Sequence, residues 1–224
     1  MIDFAICLCG HGDTKDATVQ SLEFLRKTSP YRYEVRMLTG DALIGRSRSR
    51  MCTQFLRHDD TPYMMFIDTD ILFSPGDIQD IYDAMTEGYD VVAGAYSVAN
   101  GAHLAIRSYE ELKFDGKVHK AEFVSTGFMG ISRRILEKIR DELDLPLLHP
   151  DDDMECYPFM ESGRYVKTAE ETFNGKPRAW YISEDWDFCN KVREVHGDVY
   201  VHTNVQLGHI KNAVIKVSDV MKEE

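Results

Sequence analysis

The chain has 224 residues with a formal net charge of −12 at pH 7, and 43% of its residues are hydrophobic. This composition supports a packed core, and the length suits one large domain better than two small ones. The negative charge argues against nucleic acid as a general partner, so a phosphate-bearing ligand would need local cations, a metal ion, or both.

The five cysteines show no spacing typical of a disulfide framework, which favours a reducing, cytoplasmic compartment. Cys7 and Cys9 are expected to be small buried thiols rather than zinc ligands. No apolar run approaches the ~18–20 residues needed to span a bilayer. The first residues, MIDFAICLCG, lack the positive region and cleavage site of a signal peptide, and we interpret them as a first strand.

Strand and helix patterns alternate through the first hundred residues. The predicted strands cover 4–10, 33–38, 63–67 and 90–97. The predicted helices cover 16–28, 43–57 and 74–85. This alternation indicates an α/β fold on a mostly parallel sheet, in which ligands bind beyond the carboxyl ends of the strands.

The second half is less regular. β-like pieces in 103–131 precede a predicted helix at 132–143, and 183–195 predicts another helix with an acidic start. The aperiodic segment 145–179 is expected to be a lid or binding loop. Residues 199–210 predict one or two strands, and 213–224 predict a short helical, charged tail.

The stretch MMFIDTDILF (64–73) carries two acids at the end of an apolar strand. Asp68 and Asp70 could both approach one Mg²⁺ or Mn²⁺, which prefer oxygen ligands and keep positions for substrate phosphates. The alternative is a turn in which the two side chains accept bonds from nearby backbone N–H groups.

The segment GRSRSR concentrates three arginines in an acidic chain. On a helix Arg46 and Arg50 share a face, and Arg48 points elsewhere. Guanidinium groups of this kind can recognise a phosphate, although a solvated helix face would look the same in sequence.

Two further positions could contribute to catalysis or metal binding. In SEDWD, the acids can stabilise the helix dipole, or one can be a general base, with Asp185 preferred over Glu184. His209 follows Gly208 near a strand end and could ligate a metal together with Asp70, or it could be structural. Gly127, in STGFMGISRRIL, could permit a ligand to approach the backbone closely.

Taken in order, these motifs resemble the GT-A class of nucleotide-sugar glycosyltransferases. The matching segments are FAICLCG, GRSRSRMCTQFL, FIDTDILF as the DxD motif, STGFMGISRRIL, SEDWDFC and LGHIK, which together span about 4–211. The compact size is similar to small GT-A domains of large DNA viruses and bacteria, and a viral source would mean the host cytoplasm. One departure is Ser49-Arg50-Met51, where many relatives carry Arg followed by Asn.

The resemblance implies a GT-A type Rossmann-like α/β/α sandwich and a sugar donor such as a UDP-sugar, bound with Mn²⁺ or Mg²⁺. It implies Asp70 and His209 as metal ligands, Asp68 near the metal or the ribose, and Asp185 as the base of an inverting transfer to a glycan or other hydroxyl acceptor. The implied donor-binding set is Leu8, Cys9, Gly10, Arg46, Arg50, Asp68, Thr69 and Asp70. The implied single domain, 1–224, has a nucleotide-binding half at about 1–100, an acceptor-side half at about 101–211 and a tail at 212–224.

Three other readings compete with this one. A haloacid-dehalogenase-type phosphohydrolase also places Asp-x-Asp after an apolar strand, but its motif continues with Thr or Val where this chain has Leu72, and it lies near the N-terminus. A sugar-nucleotide-forming nucleotidyltransferase would need a longer Gly-rich loop than Cys9–Gly12. A non-catalytic nucleotide-sugar-binding module on the same fold would tolerate loss of the Asp185 carboxylate.

Overall fold

The computed structural model describes residues 2–10, 12–58, 60–98, 103–167, 178–210 and 214–216. The helices of these segments are α1 (Asp16–Thr28), α2 (Ile44–His58), α3 (Pro75–Thr86), α4 (Arg133–Glu142) and α5 (Glu184–Glu194). The strands are β1 (Phe4–Gly10), β2 (Tyr33–Thr39), β3 (Tyr63–Asp68), β4 (Ile71–Leu72), β5 (Val91–Ala95), β6 (Ile106–Ser108), β7 (Val118–Val124), β8 (Phe128–Ser132), β9 (Gly163–Lys167), β10 (Arg178–Ile182), β11 (Val199–Gln206), β12 (Gly208–Ile210) and β13 (Val214–Lys216).

The central sheet has eight strands in the order β2-β1-β3-β8-β5-β11-β7-β6. β2, β1, β3, β5, β11 and β6 run in one direction, and β8 and β7 run in the other. The predicted α/β fold with a mostly parallel sheet is therefore confirmed. Because β1, β3 and β5 end at the same edge, the segments that follow them meet there.

Helices cover both faces of this sheet. The alternation of side chains along β1 sends Cys7 and Cys9 to the face covered by α2, α4 and α5, and Ile6 and Leu8 to the face covered by α1 and α3. Both cysteines are buried, as predicted, and none of the five cysteines forms a disulfide. The result is an α/β/α sandwich with a hydrophobic core on each side.

The second half of the chain differs from its predicted pattern in two places. The segment 145–179, predicted as aperiodic, contains β9 and the start of β10, which pair in an antiparallel hairpin, and the connection at 168–177 lies outside the described residues. The tail predicted as helical is wrong at its start, because β13 pairs with β12 in an antiparallel ladder. Val214 and Ile215 are β-branched and suit a strand, and the pairing with β12 outweighs the weak helical pattern. Residues 217–224 lie outside the described residues.

Helix α3, directly after the DxD segment, begins with a complete capping box. Ser74 Oγ accepts a bond from the Asp77 backbone N–H, and Asp77 accepts one from the Ser74 N–H. We expect Ser74→Ala to lower the free energy of unfolding by about 1 kcal/mol, because it removes this cap. Urea denaturation measures the change. Lys15→Ala is the control, since the N-cap of α1 makes no side-chain bond; equal losses in both variants would contradict the assignment.

Candidate active site

The candidate site lies at the carboxyl edge of the sheet, where β1 and β3 end side by side. Cys9 is paired with Asp68 across the two strands. Gly10 packs directly against Thr69, so that an added Cβ would lie 2.7 Å from the Thr69 Oγ1 atom. A larger residue at this position would force the Thr69 side chain to move. The strand-end glycine therefore permits close packing between β1 and the DxD segment.

Arg48 is the central side chain of this site. It is 5% exposed, and its Nη2 donates to Asp68 Oδ1 at 2.6 Å while its Nη1 donates to Glu184 Oε1. One guanidinium thus connects α2 to the end of β3 and to the first residue of α5. Donor contacts were predicted for Arg46 and Arg50, and no role was predicted for Arg48.

The charges of this cluster depend on each other. Burial acts to lower the pKa of Arg48, but the neighbouring Asp68 and Glu184 carboxylates outweigh it and leave the pKa above its usual range. Burial raises the pKa of Glu184, and Arg48 opposes that rise. The guanidinium therefore stays charged, and it is the local cation that permits acids to gather here.

Asp185 is the second residue of α5 and lies beside this cluster. Its Oδ1 accepts bonds from the Ser183 hydroxyl and from the Trp186 backbone N–H at 2.8 Å. Within the described part of the chain, no hydrogen bond engages its Oδ2. Asp185 thus lies at the N-terminal end of α5, where the helix dipole is positive. Asp185 is 8% exposed and has one oxygen fixed and one available to a ligand hydroxyl.

Asp70 and His209 face each other on the other side of the strand end. β12 pairs with β4, which places His209 opposite Ile71, and the Asp70 carbonyl accepts a bond from the Ile210 N–H. The His209 Nδ1 lies 2.7 Å from the Ser97 carbonyl oxygen, so Nδ1 carries the proton. Its Nε2 lies 3.4 Å from Asp70 Oδ2.

This pair has the chemistry of two metal ligands. The imidazole Nε2 of His209 and the carboxylate Oδ2 of Asp70 are both atoms that a divalent cation accepts as ligands. Two ligands of one small divalent ion are about 3 Å apart, close to the observed separation. Among the described residues, no group of three or more His, Cys, Asp or Glu side chains is arranged around one point. Asp68, the third predicted ligand, is instead bound to Arg48. The donor set fits a metal that takes its remaining ligands from substrate phosphate and water.

Tyr96 supports both parts of the site, and no sequence pattern pointed to it. Its hydroxyl accepts a bond from the Gly127 N–H at 3.2 Å, and the Gly127 carbonyl accepts the Asp68 N–H at 2.9 Å. Its ring lies edge-on to the His209 imidazole, with centroids 5.3 Å apart. Burial, with Asp68 and Asp185 nearby, raises the pKa of Tyr96, so the phenol stays neutral. An added Cβ at Gly127 would lie 2.4 Å from the Tyr96 hydroxyl oxygen, so Gly127 permits close packing within the protein.

The remaining predicted donor contacts lie around this centre. The side chains of Leu8 and Cys9 are buried, so only their backbone can meet a ligand, and burial raises the pKa of Cys9 to about 12. Arg46 donates from Nε and Nη2 to Asp41, at 2.9 and 2.7 Å. Arg50 donates to the Asp153 carbonyl oxygen at 2.8 Å. The structure thus brings Asp68 and Glu184 together through Arg48, places Asp185 next to Glu184 in sequence, and brings Asp70 close to His209.

Substitution of Arg48 should lower the free energy of unfolding more than substitution of Arg46. We expect Arg48→Met to lower the free energy of unfolding by about 3–5 kcal/mol, because it leaves the buried Glu184 and the partly buried Asp68 without their cation. Arg46→Met should cost less, about 1–2 kcal/mol, because the Arg46 side chain is 32% exposed and Arg50 remains 4.0 Å from Asp41. Urea denaturation of both variants measures the difference, and Arg48→Met combined with Glu184→Gln should recover part of the loss. Similar losses for Arg48→Met and Arg46→Met would contradict the role of Arg48.

The chain matches known proteins in sequence and in fold. Residues 3–140 match the family model described as glycosyl transferase family 2, which is more than half of the chain. No curated protein matches. Among solved structures, the crystal structure of A197 from STIV is similar with a TM-score of 0.61 and 18% identity, over 94% of this chain and 86% of that one. At that identity the likeness supports the fold alone. None of the helices in the described segments has the length and apolar character needed to cross a membrane. The chain belongs to glycosyl transferase family 2, within the GT-A class of glycosyltransferases.

Proposed function

We propose that this glycosyltransferase moves a sugar from a UDP-sugar to a hydroxyl acceptor with inversion at the anomeric carbon, and that it uses Mn²⁺ or Mg²⁺. The observation that carries the proposal is the Asp70–His209 pair, with Nε2 and Oδ2 3.4 Å apart and the imidazole oriented by the Ser97 carbonyl. A divalent cation bound by this pair supplies positive charge to the leaving diphosphate. It also explains how a chain of net charge −12 accepts such a donor.

The donor is proposed to lie along the strand ends. The backbone of 8–10 and the Thr69 side chain border the nucleotide, and Asp68, oriented by Arg48, accepts from a ribose hydroxyl. Arg46 and Arg50 remain predicted nucleotide contacts, although Arg46 already has a partner in Asp41 and Arg50 has one in the Asp153 carbonyl. For this reason we assign the neutralisation of the diphosphate to the metal rather than to these two arginines.

Asp185 is proposed as the general base. Its Oδ2 takes the proton of the acceptor hydroxyl as that oxygen bonds to the anomeric carbon and the bond to the diphosphate oxygen breaks. Ser183 and the Trp186 N–H hold the other carboxylate oxygen, so the base is oriented before the acceptor arrives. Glu184 is the alternative base, but its bond to Arg48 favours a positioning role.

The family assignment favours glycosyl transfer over the phosphohydrolase and nucleotidyltransferase alternatives. A non-catalytic module on the same fold would bind the donor and would tolerate loss of the Asp185 carboxylate. We also propose one domain, with the nucleotide side in the first hundred residues and the acceptor side in 101–211. The cytoplasm is the proposed compartment, because none of the five cysteines forms a disulfide.

The metal assignment predicts that substitution of either of two residues weakens donor binding. Asp70→Asn and His209→Ala should each weaken UDP binding in the presence of Mn²⁺ about tenfold or more, because each removes one of two protein ligands. Isothermal titration calorimetry measures the affinity, with and without a chelator. His202→Ala, on the adjacent strand β11, is the control and should bind UDP normally. If Asp70→Asn keeps the full Mn²⁺-dependent affinity, the assignment is wrong.

The base assignment predicts that the rate falls while donor binding is unchanged. Asp185→Asn should lower kcat about 10²–10⁴-fold, the usual contribution of a general base, and leave UDP binding unchanged. Asp187→Asn, on the same helix but bonded to Lys191, is the matched control. NMR of the product should show an inverted anomeric centre. A retained configuration would rule out the inverting mechanism, and a wild-type protein that binds UDP-sugars without any transfer would be a binding module.

A further inference from the structure

A cleft of about 490 Å³ opens between the first turn of α2 and the segment 148–162. Gly45 separates it from the carboxylate cluster. An added Cβ at Gly45 would lie 2.6 Å from the Met160 carbonyl oxygen and 3.0 Å from the Glu184 Cβ. Gly45 therefore closes the inner end of the cleft, and Glu184, the first residue of α5, lies directly behind it.

The outer wall of the cleft is fixed to α2. The Met160 N–H donates to Ser49 Oγ at 3.0 Å, and the Tyr157 N–H donates to Thr53 Oγ1 at 2.9 Å. Leu148 and Cys156 exchange backbone bonds of 2.9 and 3.0 Å. These contacts hold a loop of irregular sequence in one shape. A fixed shape suits the wall of a binding site, whereas a lid would have to move.

The mouth of the cleft is apolar. Leu43 on one wall is 58% exposed, and Leu148 on the other is 38% exposed. Cys156 and Met160 continue the apolar lining inward. Exposed leucines on opposing walls of one cleft favour a ligand that covers them.

The charges of the lining disfavour a phosphate. Arg46 lines the cleft, but its Nε and Nη2 both donate to Asp41. The Arg46 guanidinium lowers the pKa of Asp41 to about 2, so this carboxylate is ionised at neutral pH and balances the arginine. Glu161 also lines the cleft, and it pairs with Lys191 at 3.4 Å. An uncharged group suits this lining better than the diphosphate of a donor.

We propose that this cleft binds the apolar part of an uncharged acceptor, an alkyl or aryl aglycone, beside the start of the helix that carries Asp185. The inference rests on the proposed function, since it assigns the acceptor of that reaction. The two exposed leucines determine the preference for an apolar acceptor. The donor occupies the strand-end side of α2, so both ligands can bind at once.

The test uses octyl β-glucoside below its micellar concentration as the probe, with glucose as its polar counterpart. Calorimetry measures the affinity, and methyl NMR of leucine-labelled protein identifies the methyl groups that shift. The double variant Leu43→Ser/Leu148→Ser should bind the probe at least tenfold more weakly, and glucose should bind no variant measurably. Met37→Ser is the matched control, because Met37 is 54% exposed on the edge strand β2, away from the cleft.

The outcomes separate this inference from the proposed function. Equal probe affinity in the wild type and in the double leucine variant would overturn the inference, as would displacement of the probe by UDP with Mn²⁺, because the cleft would then belong to the donor. UDP binding in the double variant should be unchanged. Failure of the wild type to bind UDP with Mn²⁺ would overturn the proposed function, whereas normal UDP binding with no saturable probe binding would overturn only the aglycone site.

Discussion

Arg48 is a charged side chain that is 5% exposed, and the folded chain must compensate for taking it out of water. It does so with Asp68 from the end of β3 and Glu184 from the start of α5. Charge pairing of this kind is favourable inside a protein only when the partners are held close. The requirement therefore fixes α2, β3 and α5 relative to one another, and with them the DxD segment and the helix that carries Asp185.

As a consequence, the two acids of the DxD segment contact different partners. Along β3 the side chains alternate between the two cores, and Asp68 follows the face of Phe66 towards α2. Asp70 lies beyond the strand, where β4 and β12 bring it to His209. One acid thus belongs to a charge cluster within the protein, and the other belongs to the proposed metal pair. The net charge of −12 is offset locally rather than across the whole surface.

The sequence was sufficient for the alternating strands and helices, and for the position of Asp68 and Asp70 at a strand end. It also contained a signal for Arg48, which is missed when only the spacing between the three arginines is considered. Ile44, Arg48, Met51, Cys52 and Phe55 follow the spacing of one apolar helix face, so Arg48 occupies a core position and needs buried acids. Tyr96 could not be found this way, because its contacts with Gly127 and His209 join segments distant in sequence. The strand β13 was missed because its partner β12, rather than its own pattern, determines its conformation.

The segment 148–162 shows how an irregular sequence can still form a rigid surface. The hydroxyl groups of Ser49 and Thr53, both on α2, accept hydrogen bonds from backbone N–H groups of this segment. The shape of the segment is therefore determined by a helix that Arg48 already holds in place. A wall fixed in this way loses little conformational entropy when a ligand binds. Because the same helix orients Asp68, a ligand in the cleft and a donor at the strand ends would meet a common rigid support. Proximity of the two reacting groups would then follow from the packing of α2 rather than from closure of a lid.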